Sequence, residues 1–244
     1  MLMNVNEYKK FIKYIIDFTK SHDFEHQTAE QIVSVAFYNK MLDSAQNVLS
    51  LQKNPYDACI IACQMTEGLF HLCWMLDNPK RIKDYTDFLC VDSLGGLATH
   101  PELRETILNS IKNNDIARFL KKHIKKEDYD TEEILLNPKN YHDAWYKADG
   151  YNFTKIVEEL TINPDNLYIR NLHTIYKELC AYKHYSPYVI LPTYGILPKP
   201  KDRESFISII NAAQVLFIAL FLVSKYQKLD INKIAQKYNN FFNS

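Results

Sequence analysis

Glycine is scarce in this chain: 5 residues in 244. That is too few for the tight turns an all-β fold of this length would need. No segment alternates apolar and polar residues as a half-buried strand does, and no glycine-rich phosphate loop is present. Net charge is absent too. Lys+Arg and Asp+Glu number 29 each, so the whole chain carries no field toward nucleic acid or anionic lipid, though a local basic patch is compatible with the balance. The opening "MLMNVNEYKK" turns polar at once and lacks the apolar core of a secretory signal. The five cysteines, Cys59, Cys63, Cys73, Cys90 and Cys180, follow no disulfide framework and are odd in number. Free thiols in a reducing cytoplasm are the expectation. Cys59 and Cys63 stand one helical turn apart, a spacing zinc uses. "CIIAC" lacks further ligands nearby, however, and reads as two small buried hydrophobes. Neither a metal nor a cofactor is expected.

What is there is helical. Apolar residues make up 47% and charged residues 24%, the balance of an ordinary globular protein. "NEYKKFIKYIIDFTKSH" places Tyr8, Phe11, Ile12, Ile15 and Phe18 at helical spacing, and the next stretch continues the pattern from Thr28, a natural N-cap. "NPYDACIIACQMTEGLFHLCWMLDNP" is bracketed by Pro55 and Asn78-Pro79 and is apolar nearly all round, which predicts a central helix. Further helices are expected at "PKRIKDYTDFLCVDSL", closed by Gly95-Gly96, at "HPELRETILNSIKNN" and across residues 114–130. Residues 121–150 are the least regular. A short helix follows at "YNFTKIVEEL", then a long one from an Asn163 cap to His184. "YSPYVILPTYGILPKP" carries four prolines and predicts an extended loop over 185–200. Two helices, from about Asp202 to Leu229 and at "INKIAQKYNNFF", complete the chain. Within the first, Ser205 to Ser224 is apolar but contains Asn211 and Gln214, and its unbroken apolar part is shorter than the ~20 residues of a membrane span. It reads as a core helix, with no membrane as partner. The fold class is therefore all-α, one bundle of about eight to eleven helices with 81–150 partly peripheral.

Two helices carry the candidate chemistry. On the Asn163–His184 helix, Tyr168, Leu172, Ile175, Leu179 and Tyr182 form a core stripe. Arg170, His173, Tyr176, Lys177, Cys180 and His184 fall in a separate strip about 120° wide. Two cations and two histidines there suit a phosphate, with His184 as general acid or base; equally, they suit the polar face every surface helix needs. On the central helix, Asp57, Gln64, Glu67 and His71 share one narrow stripe amid apolar residues. A buried carboxylate must be paired, so this stripe is expected to face the Arg170–His184 strip, as an active site or as a structural network. Glu67 and His71, four residues apart, match no HExxH or repeated ExxH motif. Ser208, Asn211 and Gln214 form a third polar stripe.

The stretches "YDACIIACQMTEGLFHLCWMLDNPKRIKDYTDFL", "AWYKADGYNFTKIVEEL" and "LYIRNLHTIYKELCAYKHYSPY" resemble an uncharacterised bacterial helical family, domain of unknown function 5677. The resemblance covers about half the chain and implies that its acidic residue is Glu67, its tryptophan Trp145, and its tyrosine–(Leu-Ser)–histidine signature Tyr176, Leu179 and His184. The chain departs from that pattern at Gln64, where an arginine is expected, and at Cys180, where a serine is expected. A looser resemblance is to HEPN helical domains, many of them metal-independent ribonucleases of toxin and phage-defence systems. Their arginine, four to six residues and a histidine become Lys177, six residues and His184 here. Lysine keeps the charge but loses the bidentate fork.

Two functions follow as expectations. One is an HEPN-like protein that binds RNA or a nucleotide, cleaving with His184, Lys177 and Glu67 and binding with Arg170, His173, Tyr176, Gln64 and His71. The other is a non-catalytic module that docks a protein partner, or a second copy of itself, on the aromatic segment Tyr185–Pro198. His184 also has a plain alternative role, capping the C-terminus of its helix with its imidazole.

Overall fold

The computed structural model describes residues 5–95, 100–111, 121–125, 132–163, 167–193, 195 and 203–242. Among them the fold is all-α, with twelve α-helices and no strand. In chain order these are α1 (Val5–Lys20), α2 (Ala29–Ser50), α3 (Pro55–Leu76), α4 (Pro79–Asp87), α5 (Leu89–Gly95), α6 (Arg104–Ile111), α7 (Glu132–Leu136), α8 (Phe153–Ile162), α9 (Leu167–Lys183), α10 (Pro187–Thr193), α11 (Arg203–Gln227) and α12 (Asn232–Phe242). The helix expected across 114–130 falls largely outside the described residues, as do Pro164–Asn166 at the expected start of α9. The chain divides into two compact units: Met1–Trp74 with Glu159–Ser244, and Met75–Glu158.

The first unit is built around α11, which packs along α2 and α1. In α1 the residues Tyr8, Phe11, Ile12, Ile15, Ile16 and Thr19 are buried, the stripe of a one-sided amphipathic helix. Thr28 begins α2 with a reciprocal capping box: its hydroxyl accepts from the Gln31 amide at 3.2 Å, and the Gln31 side chain accepts from the Thr28 amide at 3.1 Å. From α12, Tyr238 stacks on Phe217 at 3.9 Å, and Phe242 packs on Tyr8 at 5.2 Å. Both α3 and α11 are long and apolar enough to cross a membrane, yet 61% and 72% of their most apolar windows are buried inside the fold. That burial is what core helices show. Within α11, Asn211 is fully buried and satisfied: its Nδ2 donates to the Ala62 carbonyl at 2.9 Å and to Thr66 Oγ1 at 2.9 Å.

Of the segment 185–200, expected as an extended loop, residues 194 and 196–200 lie outside the described residues, and the described part is not wholly a loop. Residues Pro187–Thr193 form α10. Pro187 occupies the first position, where its missing N–H costs nothing. Pro192 removes one helical bond, and the helix ends one residue later. Between α9 and α10 lies a tight corner. Tyr185 adopts a left-handed φ of 52°. Its amide donates to the Tyr182 carbonyl at 3.4 Å, and the Ser186 amide reaches back to Ala181 at 3.0 Å. This paired closure is the Schellman pattern, made here without glycine. The Ser186 carbonyl in turn accepts from the amides of Val189 and Ile190, both at 2.9 Å, and so starts α10.

In the second unit, Asn78 caps α4 by accepting from the Lys80 amide at 3.1 Å. Lys122 bridges Asp84 at 2.7 Å and Asp149 at 2.8 Å. Trp145, the tryptophan implied by the family resemblance, is buried and sits edge-on to Tyr85 at 5.7 Å. It is a core residue of this unit.

Candidate functional site

Helices α3 and α9 meet antiparallel, and the pairing can be followed residue by residue. Tyr56 Oη donates to the Tyr182 carbonyl at 2.7 Å. Cys63 Sγ lies 3.8 Å from Cys180 Sγ. Glu67 Oε1 accepts from Tyr176 Oη at 2.9 Å. Phe70 meets the rings of Tyr176 at 5.8 Å and His173 at 6.5 Å. Successive turns of one helix thus face successive turns of the other, running in opposite directions. The expected neighbourhood of Glu67 and the Arg170–His184 strip is realised.

The centre of this seam is the Glu67 carboxylate. Besides Tyr176 it holds Lys183, whose Nζ lies 2.7 Å from Oε1 and 2.8 Å from Oε2. The ion pair is half-buried, with 24% of the Glu67 side chain and 31% of the Lys183 side chain exposed. Burial works against the Lys183 ammonium, but its bond to Glu67 and that group's charge outweigh burial and raise its pKa. The Tyr176 phenol is pushed up by burial, by its bond to Cys180 and by the charge of Glu67, so it stays protonated. His71, one turn beyond Glu67, is pushed down to about 4 by burial, which prevails over the opposing pull of the carboxylate; it is neutral at pH 7.

Cys180 lies beside the network. The Cys63 thiol bonds to it, burial opposes, and the Tyr176 hydroxyl and the nearby His184 help; together they lower its pKa to about 6. Cys63 moves the opposite way, raised by the bond with Cys180 and by burial. One thiol of the pair ionises readily and the other does not.

The other predicted residues separate. Gln64 and Asp57 are exposed rather than part of a buried stripe. The physical reason is angular: α9 docks on the Cys63 and Phe70 side of α3, which leaves Gln64 and Asp57 on the outer edge. Arg170, Lys177 and His184 are exposed. Arg170 donates from Nε to the Thr161 carbonyl at 2.9 Å. The His184 amide bonds Cys180 O at 3.0 Å, and the helix end is closed by the backbone of Tyr185 and Ser186. The imidazole therefore is not the cap: the left-handed residue does that work with main-chain donors. The three exposed residues recur every seven positions, within about 40° of one another around α9, and span about 21 Å along it.

Lys183 and Cys63, both in the seam, were not among the candidates. Lys183 is seven residues after Tyr176, so it shares that face; the spacing alone could have found it. The contact of Cys63 with Cys180 crosses a sequence separation of 117 and leaves no local signal. A cavity of about 300 Å³ lies elsewhere in the first unit, lined by Tyr168, Asn171, Leu172, Gln214, Ile218, Tyr238 and Phe242, and contains none of the predicted catalytic residues. No group of three or more His, Cys, Asp or Glu side chains is placed to hold a metal ion among the described residues.

A protein-family model described as "Family of unknown function (DUF5677)" matches residues 31–194. No curated protein and no solved structure matches the chain.

Proposed function

The chain belongs to the DUF5677 family, and on that premise we propose that it binds single-stranded RNA along the outer face of α9, in an HEPN-like manner but without cutting it. The observation that carries this reading is the exposed line Arg170, Lys177 and His184, continued at its end by Tyr185, a residue 71% exposed. Cations that track a backbone and an aromatic face on which a base stacks are the usual parts of a single-strand platform. The Glu67–Tyr176–Lys183 network supports this face by fixing α9 against α3.

Cleavage fits the geometry less well. Arg170 and Lys177 stand about 21 Å and about 10 Å from His184 along the helix, too far to meet on one phosphate. Lys183 is closer in sequence, but both oxygens of Glu67 hold its ammonium. A cytoplasmic location belongs to the same proposal, in keeping with the free cysteines.

The test is fluorescence anisotropy of a labelled single-stranded RNA against the full chain over a range of salt. Affinity should fall with salt with a slope near that of two or three released counterions, about 0.7 per contact. Lys177→Ala should flatten that slope. Tyr185→Ala should weaken binding about tenfold at every salt, since a stacked base contributes ~1–3 kcal/mol. A wild type that binds no RNA at low salt overturns the reading. The exposed Tyr185 ring would then favour the second one, docking of a protein partner at the α9–α10 corner.

A further inference from the structure

We propose that Cys63 and Cys180 are a peroxide-oxidisable thiol pair, able to close a reversible disulfide between α3 and α9. The sulfurs are 3.8 Å apart. A disulfide needs about 2.0 Å, which leaves roughly 1.8 Å to be closed by rotation of two side chains on already packed helices. The other thiols are differently placed. Of the four cysteines whose side chains are described, Cys59, Cys63 and Cys73 are buried and Cys180 is partly open to solvent. Cys59 donates its thiol to the Glu204 carbonyl at 3.4 Å. Cys180 is thus the thiol a small oxidant reaches, and Cys63 the one waiting behind it.

The surroundings divide the labour. The Cys63 thiol first, then the Tyr176 hydroxyl and His184, favour the Cys180 thiolate against burial and the Glu67 charge, and Cys63 keeps its proton. In the first step the Cys180 thiolate attacks one oxygen of hydrogen peroxide. An S–O bond forms, the O–O bond breaks and hydroxide leaves, giving Cys180 sulfenic acid. In the second, Cys63 sulfur attacks the Cys180 sulfur. The S–S bond forms, the S–O bond breaks, and the departing hydroxide takes the Cys63 proton as water. In sum, two thiols are oxidised, one peroxide is reduced and two waters form. A small-molecule dithiol reverses it. Since Cys180 lies on the same helix as Tyr176 and Lys183, closure would also pull on the Glu67 network.

The inference is independent of RNA binding, and its test reads no RNA. The reduced full chain is treated with hydrogen peroxide, alkylated and analysed by intact mass and peptide mapping. The expected result is a loss of two hydrogens, one cross-linked peptide pair joining Cys63 to Cys180, and full reversal by dithiothreitol. Cys63→Ser should stop at the sulfenic acid, trapped by dimedone on Cys180. Cys180→Ser should abolish the fast oxidation, with circular dichroism verifying that both variants fold. The wild-type peptide map decides the matter even if a variant does not fold. A folded wild type whose thiols all survive peroxide overturns the proposal, as does oxidation confined to other cysteines or to links between chains.

Discussion

Adjacent residues of α3 make two polar networks of opposite character. Thr66 turns inward to Asn211 of α11, and both side chains are fully buried. Glu67 turns to the rim, toward Tyr176 and Lys183 of α9, where about a quarter of its side chain meets water. The inner network is neutral and the outer one charged. Desolvation explains the division. A carboxylate and an ammonium at the Thr66 position would lose hydration that their attraction does not restore. An amide and a hydroxyl there lose less and are satisfied by one another and by the Ala62 carbonyl. At the rim, water still shares the cost of the charges, and Lys183 gains from its carboxylate.

The comparison can be broken by substitution. Asn211→Ala should have the largest effect, destabilising by ~3 kcal/mol, because it leaves a cavity and takes from Thr66 and the Ala62 carbonyl the amide that donates to both in a dry place. Chemical denaturation should give the same loss at low and high salt. Acidification comes next. Folded His71 resists protonation down to about 4, against 6.5 for an unperturbed histidine, so the unfolded chain binds the extra proton in this window. Stability should therefore fall as pH drops from about 6.5 to about 4, by ~2–3 kcal/mol from this group. His71→Phe should flatten that part of the urea-denaturation pH profile. Removal of the rim carboxylate by Glu67→Ala should cost ~2 kcal/mol, between the values for exposed and fully buried pairs. A double-mutant cycle with Lys183→Met should give a coupling near 1 kcal/mol that shrinks as salt is raised, which the Thr66–Asn211 coupling should not do. The smallest effect belongs to Gln64→Ala, within ~0.5 kcal/mol, as for any exposed residue without a special partner. A large loss there would place Gln64 in a network after all.

Much of this was legible because periodicity assigns faces. The stripe in α1, the N-cap at Thr28, the largely apolar α3 and the approach of Glu67 to α9 all follow from spacing and from the need to pair a half-buried carboxylate. What spacing cannot give is the angle at which two helices dock. A shift of some tens of degrees decides whether Gln64 lies in the seam or outside it, and whether Cys63 meets Cys180. Proline count misled at α10, where the rings sit at positions a short helix tolerates. The capping role open to His184 falls instead to the left-handed Tyr185 and the Ser186 amide, a backbone closure that residue type does not announce when no glycine marks it. Lys228 does the same at the end of α11, with φ 53° and the Leu229 amide reaching back to Ser224 at 3.2 Å.

The corner at Ser186 has a dynamic consequence. Its N–H closes α9 and its carbonyl opens α10, so one peptide segment serves both helices. Fraying at the end of α9 releases Ser186, and with it the acceptor that holds Val189 and Ile190. The two helix ends should open as one unit, and native-state hydrogen exchange would show it: the amides of Ser186, Val189 and Ile190 should share a single opening free energy and respond together to denaturant.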